Sequence, residues 1–209
     1  MQAIGVKGRM RTRNLVLTAL FAALIAAGAF IKIPAPLVPV TMQAAFCMLA
    51  ALLLGPKYAT LSVAVYISIG LVGIPVFAAG GGLSYVFKPT FGYMIGFVFG
   101  TFSAGMIARG RFNEKAFSIR RFAIACLVCC GAVYAVGVPY MYLIMRLYLG
   151  VPVTVGYAVL TGWVVFIPTD LLWCGLASAL AAKLLPILTK SGVEIVNLKD
   201  KQLIPKINK

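Results

Sequence analysis

Long apolar runs alternate with short polar or Pro/Gly-rich interruptions along most of the chain. The runs have the length of a bilayer crossing rather than of a soluble strand or helix. Six can be traced, at about 14–33, 41–55, 58–74, 90–108, 122–149 and 154–185. The first ends at Pro34-Ala35-Pro36-Leu37-Val38-Pro39, the second at Gly55-Pro56-Lys57 and the third at Gly73-Ile74-Pro75, all residues that stop or redirect a helix. The sixth carries a break expected at Pro168. The last two runs exceed one crossing, so they are expected to tilt or to project beyond the lipid. No tract resembles a separate soluble domain. Residues 1–209 therefore read as one all-α integral membrane domain of six transmembrane helices.

One connection departs from this alternation. Residues 76–89, Val-Phe-Ala-Ala-Gly-Gly-Gly-Leu-Ser-Tyr-Val-Phe-Lys-Pro, are too apolar for a solvated loop, and they are expected to fold back into the protein. Composition supports the membrane reading: 62% of residues are hydrophobic, and the mean hydropathy is +1.02. A soluble domain has no means of burying so much apolar surface.

The formal charge of +15 changes the picture less than it first suggests. The basic residues cluster at the ends of apolar runs, as topology determinants do, so nucleic-acid binding is not expected. Sixteen of the 19 Lys/Arg fall on the N-terminus, the second and fourth connections and the C-terminus, which an even number of spans places on one side. Only Lys32, Lys88 and Arg146 fall on the other. Positive charge marks the cytoplasmic side, so both termini are expected inside, with the Pro-rich and glycine connections outside. The basic N-terminus followed by an apolar run imitates a signal peptide. That run, Leu15 to Ile33, is long enough to span, and it reads as an uncleaved first helix.

Candidate chemistry is sparse. The five cysteines, Cys47, Cys126, Cys129, Cys130 and Cys174, lie in apolar segments, and the chain contains no histidine to complete a zinc site. They read as small apolar residues at helix contacts. No metal or cofactor is expected. Among four acidic residues, Asp170 alone interrupts an apolar stretch, Trp163 to Trp173. A carboxylate at the bilayer centre costs roughly 3 kcal/mol on insertion scales, so one kept there marks a functional site by default. Lys183, 13 residues further on, marks the inner end of the last run; at 1.5 Å per residue Asp170 lies roughly 20 Å above it, in the outer half. The alternative is local: Pro168 breaks a helix, Thr169 caps the next one, and Asp170 complements its dipole.

Other candidates are individually weaker. Trp173 lies one helical turn beyond Asp170, where an aromatic plate beside an acceptor suits a flat N–H-bearing ligand, or where it anchors at the interface. Gly80, Gly81 and Gly82 lack the Gly-Lys-Ser/Thr of a phosphate loop; they either present backbone N–H groups to an anion or form a tight turn. Lys88 is the one cation in that connection, available to a ligand carboxylate or to lipid headgroups. Tyr93 and Gln43 begin their runs on the same side. On the first run, Ala19, Ala23 and Ala27, with Ala22 and Ala26, form small-residue stripes that admit a close helix neighbour, from a partner or from this chain.

Several segments together resemble the BioY family, the biotin-specific S components of energy-coupling factor transporters. They are residues 19–34 (Ala-Leu-Phe-Ala-Ala-Leu-Ile-Ala-Ala-Gly-Ala-Phe-Ile-Lys-Ile-Pro), 38–43 (Val-Pro-Val-Thr-Met-Gln), 52–57 (Leu-Leu-Leu-Gly-Pro-Lys), 73–82, 88–97 (Lys-Pro-Thr-Phe-Gly-Tyr-Met-Ile-Gly-Phe) and 166–170 (Phe-Ile-Pro-Thr-Asp). The resemblance implies a six-helix S-component bundle in the cell membrane, N-in and C-in, that captures biotin on its outer side. It implies docking of the first-helix alanines on a transmembrane coupling (T) subunit driven by two ATPase subunits, and ligand contact through Asp170. Trp173 stands where the family commonly has lysine, and Lys88 where many members have glycine. Two rival readings are a secondary transporter with Asp170 as proton relay, and an S component for another vitamin. An enzyme is not expected, because the membrane part offers one acid and no histidine.

Overall fold

The computed structural model describes residues 2–34, 38–109 and 118–190, with side chains between 12 and 187. The middle of the Pro-rich connection, much of the fourth connection and the C-terminal tail lie outside the described residues, as do the side chains of Lys7, Arg9 and Arg11. The elements run α1 (Gln2–Phe30), β1 (Lys32–Ile33), β2 (Val40–Thr41), α2 (Gln43–Leu71), a 3-10 turn (Leu83–Phe87), α3 (Phe91–Arg109), α4 (Ile119–Leu143) continued as a π-helical turn to Tyr148, α5 (Val155–Gly162), a second 3-10 turn (Val164–Phe166) and α6 (Ile167–Lys190).

Five helical segments among the described residues are long and apolar enough to cross a membrane: Thr12–Phe30, Gln43–Leu71, Phe91–Arg109, Ile119–Tyr148 and Val155–Ile187. The sequence reading counts six, because the second and third apolar runs both fall within α2. This element is not one straight helix. Gly55 has φ 74° and ψ −176°, a conformation open to glycine at little cost, and Pro56 follows it. Gln43 Nε2 donates to Tyr66 Oη at 2.7 Å although the two lie 23 residues apart. A straight helix would separate them by roughly 35 Å. The two halves of α2 therefore fold back on each other at Gly55. The Arg109 guanidinium occupies the space that a Gly55 side chain would need, and donates to the Leu54 carbonyl freed at the break.

The helices pack through small residues. Gly92, Gly96, Gly100 and Ala104 repeat at four-residue intervals on one face of α3, and the three glycines lie directly against α4. Without a hydrophobic drive between helices in lipid, such close approach is what generates attraction. Outward faces carry Leu20, Phe99, Leu127 and Leu176, each about half-exposed and suited to acyl chains. On α1 the two alanine stripes separate: Ala19, Ala23 and Ala27 are exposed, Ala22 is buried in the bundle and Ala26 is half-buried.

The last apolar run breaks earlier than expected. The helical path is lost at Trp163, where φ is −136°, and α6 begins at Ile167, so Pro168 sits in the first turn of a helix rather than at its end. Proline is tolerated there because that turn has no internal acceptor for its missing N–H.

Candidate functional site

A cavity opens at the end of the bundle that carries the β-hairpin and the glycine connection. It is lined by Val38, Pro39, Val40 and Thr41 of the hairpin and by Ala78, Tyr85 and Thr90. Its walls come from Gln43, Ala44 and Met48 of α2, Tyr93, Met94 and Phe97 of α3, and Cys129, Cys130, Val133 and Tyr134 of α4, with Phe166 and Asp170 from the start of α6. The lining is mostly apolar with a few polar groups, the composition usual for small-molecule sites.

Asp170 is 9% exposed and is the only acidic side chain among the described residues. Tyr134, 36 residues away on α4, donates its hydroxyl to Asp170 Oδ2. That leaves the other carboxylate oxygen, and the second lone pair of the first, to accept from a guest in the cavity. The purely local reading of Pro168-Thr169-Asp170 is corrected in one respect. Thr169 lies inside the first turn and donates to the Phe166 carbonyl at 2.8 Å, so its hydroxyl does not act as an N-cap acceptor. Asp170 does stand in the first turn of α6, where the exposed N–H dipoles favour a negative charge.

Aromatic rings surround this carboxylate. Tyr134 lies 6.1 Å from Tyr93 in an edge-on arrangement, 6.2 Å from Phe166 and 6.2 Å from Trp163, measured between ring centroids. The Tyr93 hydroxyl is committed to the Gly162 carbonyl at 2.9 Å, so Tyr93 offers the cavity its ring. This bond also holds the C-terminal end of α5 at the break before α6. Gln43 accepts from Thr41 Oγ1 at 3.1 Å and donates to Tyr66, whose hydroxyl reaches the Val76 carbonyl at 3.4 Å. One polar chain thus ties the hairpin, both halves of α2 and the glycine connection along the cavity wall.

The glycine connection folds back as its apolar character requires. Phe77 is fully buried, with its ring in the space that a side chain at Gly70 would fill, 5.4 Å from Tyr66 and 4.5 Å from Tyr85. Of the two roles open to Gly80, Gly81 and Gly82, the hydrogen bonds seen are those of a turn. The Gly80 N–H donates to Phe77 O at 3.2 Å and the Gly82 N–H to Gly70 O at 2.7 Å, and none of the three lines the cavity. Their φ of 109° at Gly80 and 100° at Gly82 identifies them as turn formers.

Trp173 is likewise displaced from its expected place. The buried face of α6 runs through Asp170, Cys174, Ala177, Ser178, Ala181 and Leu185, and Trp173 flanks it, half-buried against the core and outside the cavity lining. A three-residue step sets Trp173 about 60° around the helix from Asp170, on the flank of the buried face. Lys88 also does not line the cavity; it stands at the rim, with Nζ 2.7 Å from Ala79 O and 4.8 Å from the Tyr85 ring centroid.

Sequence reasoning passed over Tyr134. A lone tyrosine in the middle of an apolar run has a hydroxyl that needs a partner, and a lone intramembrane acid elsewhere is the natural one. The cysteines meet at helix contacts: Cys130 Sγ lies 3.9 Å from Cys174 Sγ, Cys174 lies 3.8 Å from Met48 Sδ, and Cys126 lies 3.8 Å from Ser178 Oγ. Among the described residues, no group of three or more His, Cys, Asp or Glu has the geometry to hold a metal ion.

Comparison with known proteins agrees with this architecture. The BioY family model matches residues 2–190. A probable biotin transporter BioY of Lysinibacillus sphaericus is 45% identical over 174 residues, covering 82% of this chain and 86% of that protein. The biotin transporter BioY of Thermotoga maritima is 36% identical over 173 residues, covering 82% and 95%. A crystal structure of the S-component for biotin from an ECF-type ABC transporter aligns with a TM-score of 0.71 at 25% identity, covering 85% of this chain and 93% of that one.

Proposed function

The chain belongs to the BioY family, and from that premise we propose that it is the biotin-capturing S component of an energy-coupling factor transporter. The observation that carries this reading is the buried carboxylate of Asp170, oriented by Tyr134 in an aromatic-walled cavity. Biotin has two ureido N–H donors, an apolar fused sulfur ring and an anionic tail. Asp170 accepts the ureido donors, the rings of Tyr134, Phe166 and Tyr93 cover the bicycle, and the tail points toward the mouth. A buried hydrogen bond left unmade costs about 1–3 kcal/mol, so analogues without the ureido group are rejected.

The chain acts as one substrate-capture domain in the cell membrane. If α2 is counted as two segments turning at Gly55, six segments cross. Sixteen of 19 Lys/Arg then lie on the side of both termini, which supports an N-in, C-in orientation with the cavity opening outward. The exposed stripe of Ala19, Ala23 and Ala27 suits docking on a transmembrane coupling subunit energised by two ATPases. Proton relay through Asp170, the secondary-transport alternative, predicts uptake that an uncoupler abolishes and that needs no ATPase.

Calorimetric titration of the purified chain with biotin tests the proposal: saturable one-to-one heat is expected, and no heat overturns it. Two further outcomes locate the site. Tyr134→Phe removes one hydrogen bond from Asp170 and retains the ring; it is expected to weaken biotin by roughly tenfold, about 1.4 kcal/mol, in the same titration. Cys130 is half-buried and lines the cavity. Its alkylation by a small maleimide, followed by mass spectrometry, is expected to slow markedly when biotin is present.

A further inference from the structure

Two ammonium groups bind consecutive carbonyls of the glycine connection, the first of them on a residue that lines the cavity. Lys32 Nζ donates to the Ala78 carbonyl at 2.7 Å from 46 residues away, and Lys88 Nζ donates to the neighbouring Ala79 carbonyl, also at 2.7 Å. Both are tied to cavity residues. Ala78 lines the cavity, Lys32 faces Thr41 across the β-hairpin, and Lys88 lies over the ring of Tyr85, with Thr41 and Tyr85 both in the lining. Asp170, the only acid among the described residues, is occupied by Tyr134. The chain places two cations on the carbonyls of two consecutive residues and sets none of its described carboxylates against them.

An ammonium has three donors, and one carbonyl uses one of them. Two like charges held near each other repel, and an anion placed between them relieves that repulsion while taking up the free donors. Anchoring through the hairpin and the 3-10 turn also limits the side-chain freedom that makes most surface charge pairs weak. We infer that Lys32 and Lys88 together receive the carboxylate of the ligand's tail, and that Lys32 is a specificity-determining residue for an anionic over a neutral tail. This rests on the biotin reading above. It assigns the cavity two electrostatic ends: an acceptor at depth for N–H donors and a pair of cations at the rim for the anion. A neutral heterocycle alone, or an anion alone, satisfies only one of them.

The test is a two-ligand comparison in phosphatidylcholine nanodiscs, which hold no anionic headgroup to occupy the lysines. Biotin and biotinamide, whose tail is neutral, are titrated into wild type, Lys32→Gln, Lys88→Gln, the double variant and Lys32→Arg. Each glutamine variant is expected to weaken biotin about five- to tenfold and biotinamide less than twofold. The double variant is expected to bind the two ligands about equally, while Lys32→Arg retains the wild-type preference. Lys32→Gln with unchanged biotin affinity overturns the inference. So does an equal loss for both ligands, since that outcome makes the lysines props for the loop. Wild type binding neither ligand overturns instead the biotin reading itself.

Discussion

Asp170→Ala is expected to weaken biotin binding at least about 100-fold while the protein still folds and inserts. The size follows from what is lost. Hydrogen bonds to a charged acceptor contribute about 1.5–3 kcal/mol each, the ureido group brings two donors, and 2.8 kcal/mol is about 100-fold. The folded state survives because the carboxylate is costly where it stands: removing an intramembrane acid recovers a penalty of roughly 3 kcal/mol, against about 1 kcal/mol for leaving the Tyr134 hydroxyl without its acceptor. Asp170→Asn separates charge from shape. Its amide oxygen accepts one ureido N–H, but its NH₂ group opposes the other, so an intermediate loss is expected. A melting temperature for Asp170→Ala near that of wild type, measured with lost binding heat, is the paired result. Undiminished affinity would remove Asp170 from the site.

The second large effect lies away from the carboxylate. Gly96→Leu is expected to cost roughly 3 kcal/mol of stability and to abolish the cavity with it. A Cβ at Gly96 would lie 2.7 Å from the Val133 carbonyl oxygen and 2.8 Å from its Cα, so the obstacle is backbone and no rotamer change relieves it. Relief requires α3 and α4 to separate. Tyr93, Met94 and Phe97 line the cavity from one helix and Cys129, Cys130, Val133 and Tyr134 from the other, so separation opens its wall and moves Tyr134 off Asp170. Gly131→Ala on α4 is the control. Nothing lies within 4 Å of a Cβ there, and alanine favours a helix by about 1 kcal/mol, so that variant is expected to be neutral or slightly stabilised. Thermal unfolding in detergent, followed by biotin titration, distinguishes the two glycines; equal tolerance at both positions refutes the packing argument.

Much of this site is written locally in the chain, and some of it is not. Asp170 announces itself because an isolated acid in an apolar run has no ordinary explanation. The apolar glycine connection likewise signals that it is buried, and Phe77 seated against Gly70 is how that is achieved. Trp173 stands outside the cavity lining because a three-residue step sets it about 60° around the helix from Asp170, beside the buried face. The amides of Gly80 and Gly82 close the connection upon itself at Phe77 and Gly70, which no local pattern in the chain reveals.

By itself the sequence determined the class of solvent, the run lengths, the charge asymmetry, the one acid worth keeping in lipid and the family, since these depend on composition and on motifs read along a single strand of text. The tertiary structure alone decided that α2 doubles back at Gly55, that Tyr134 donates to Asp170, and that Lys32 and Lys88 bind the neighbouring carbonyls of Ala78 and Ala79. The physical reason is that helix rotation and closest approach set which side chains meet, and these are fixed by small-residue contacts such as Gly96 on Val133, between positions far apart in the chain.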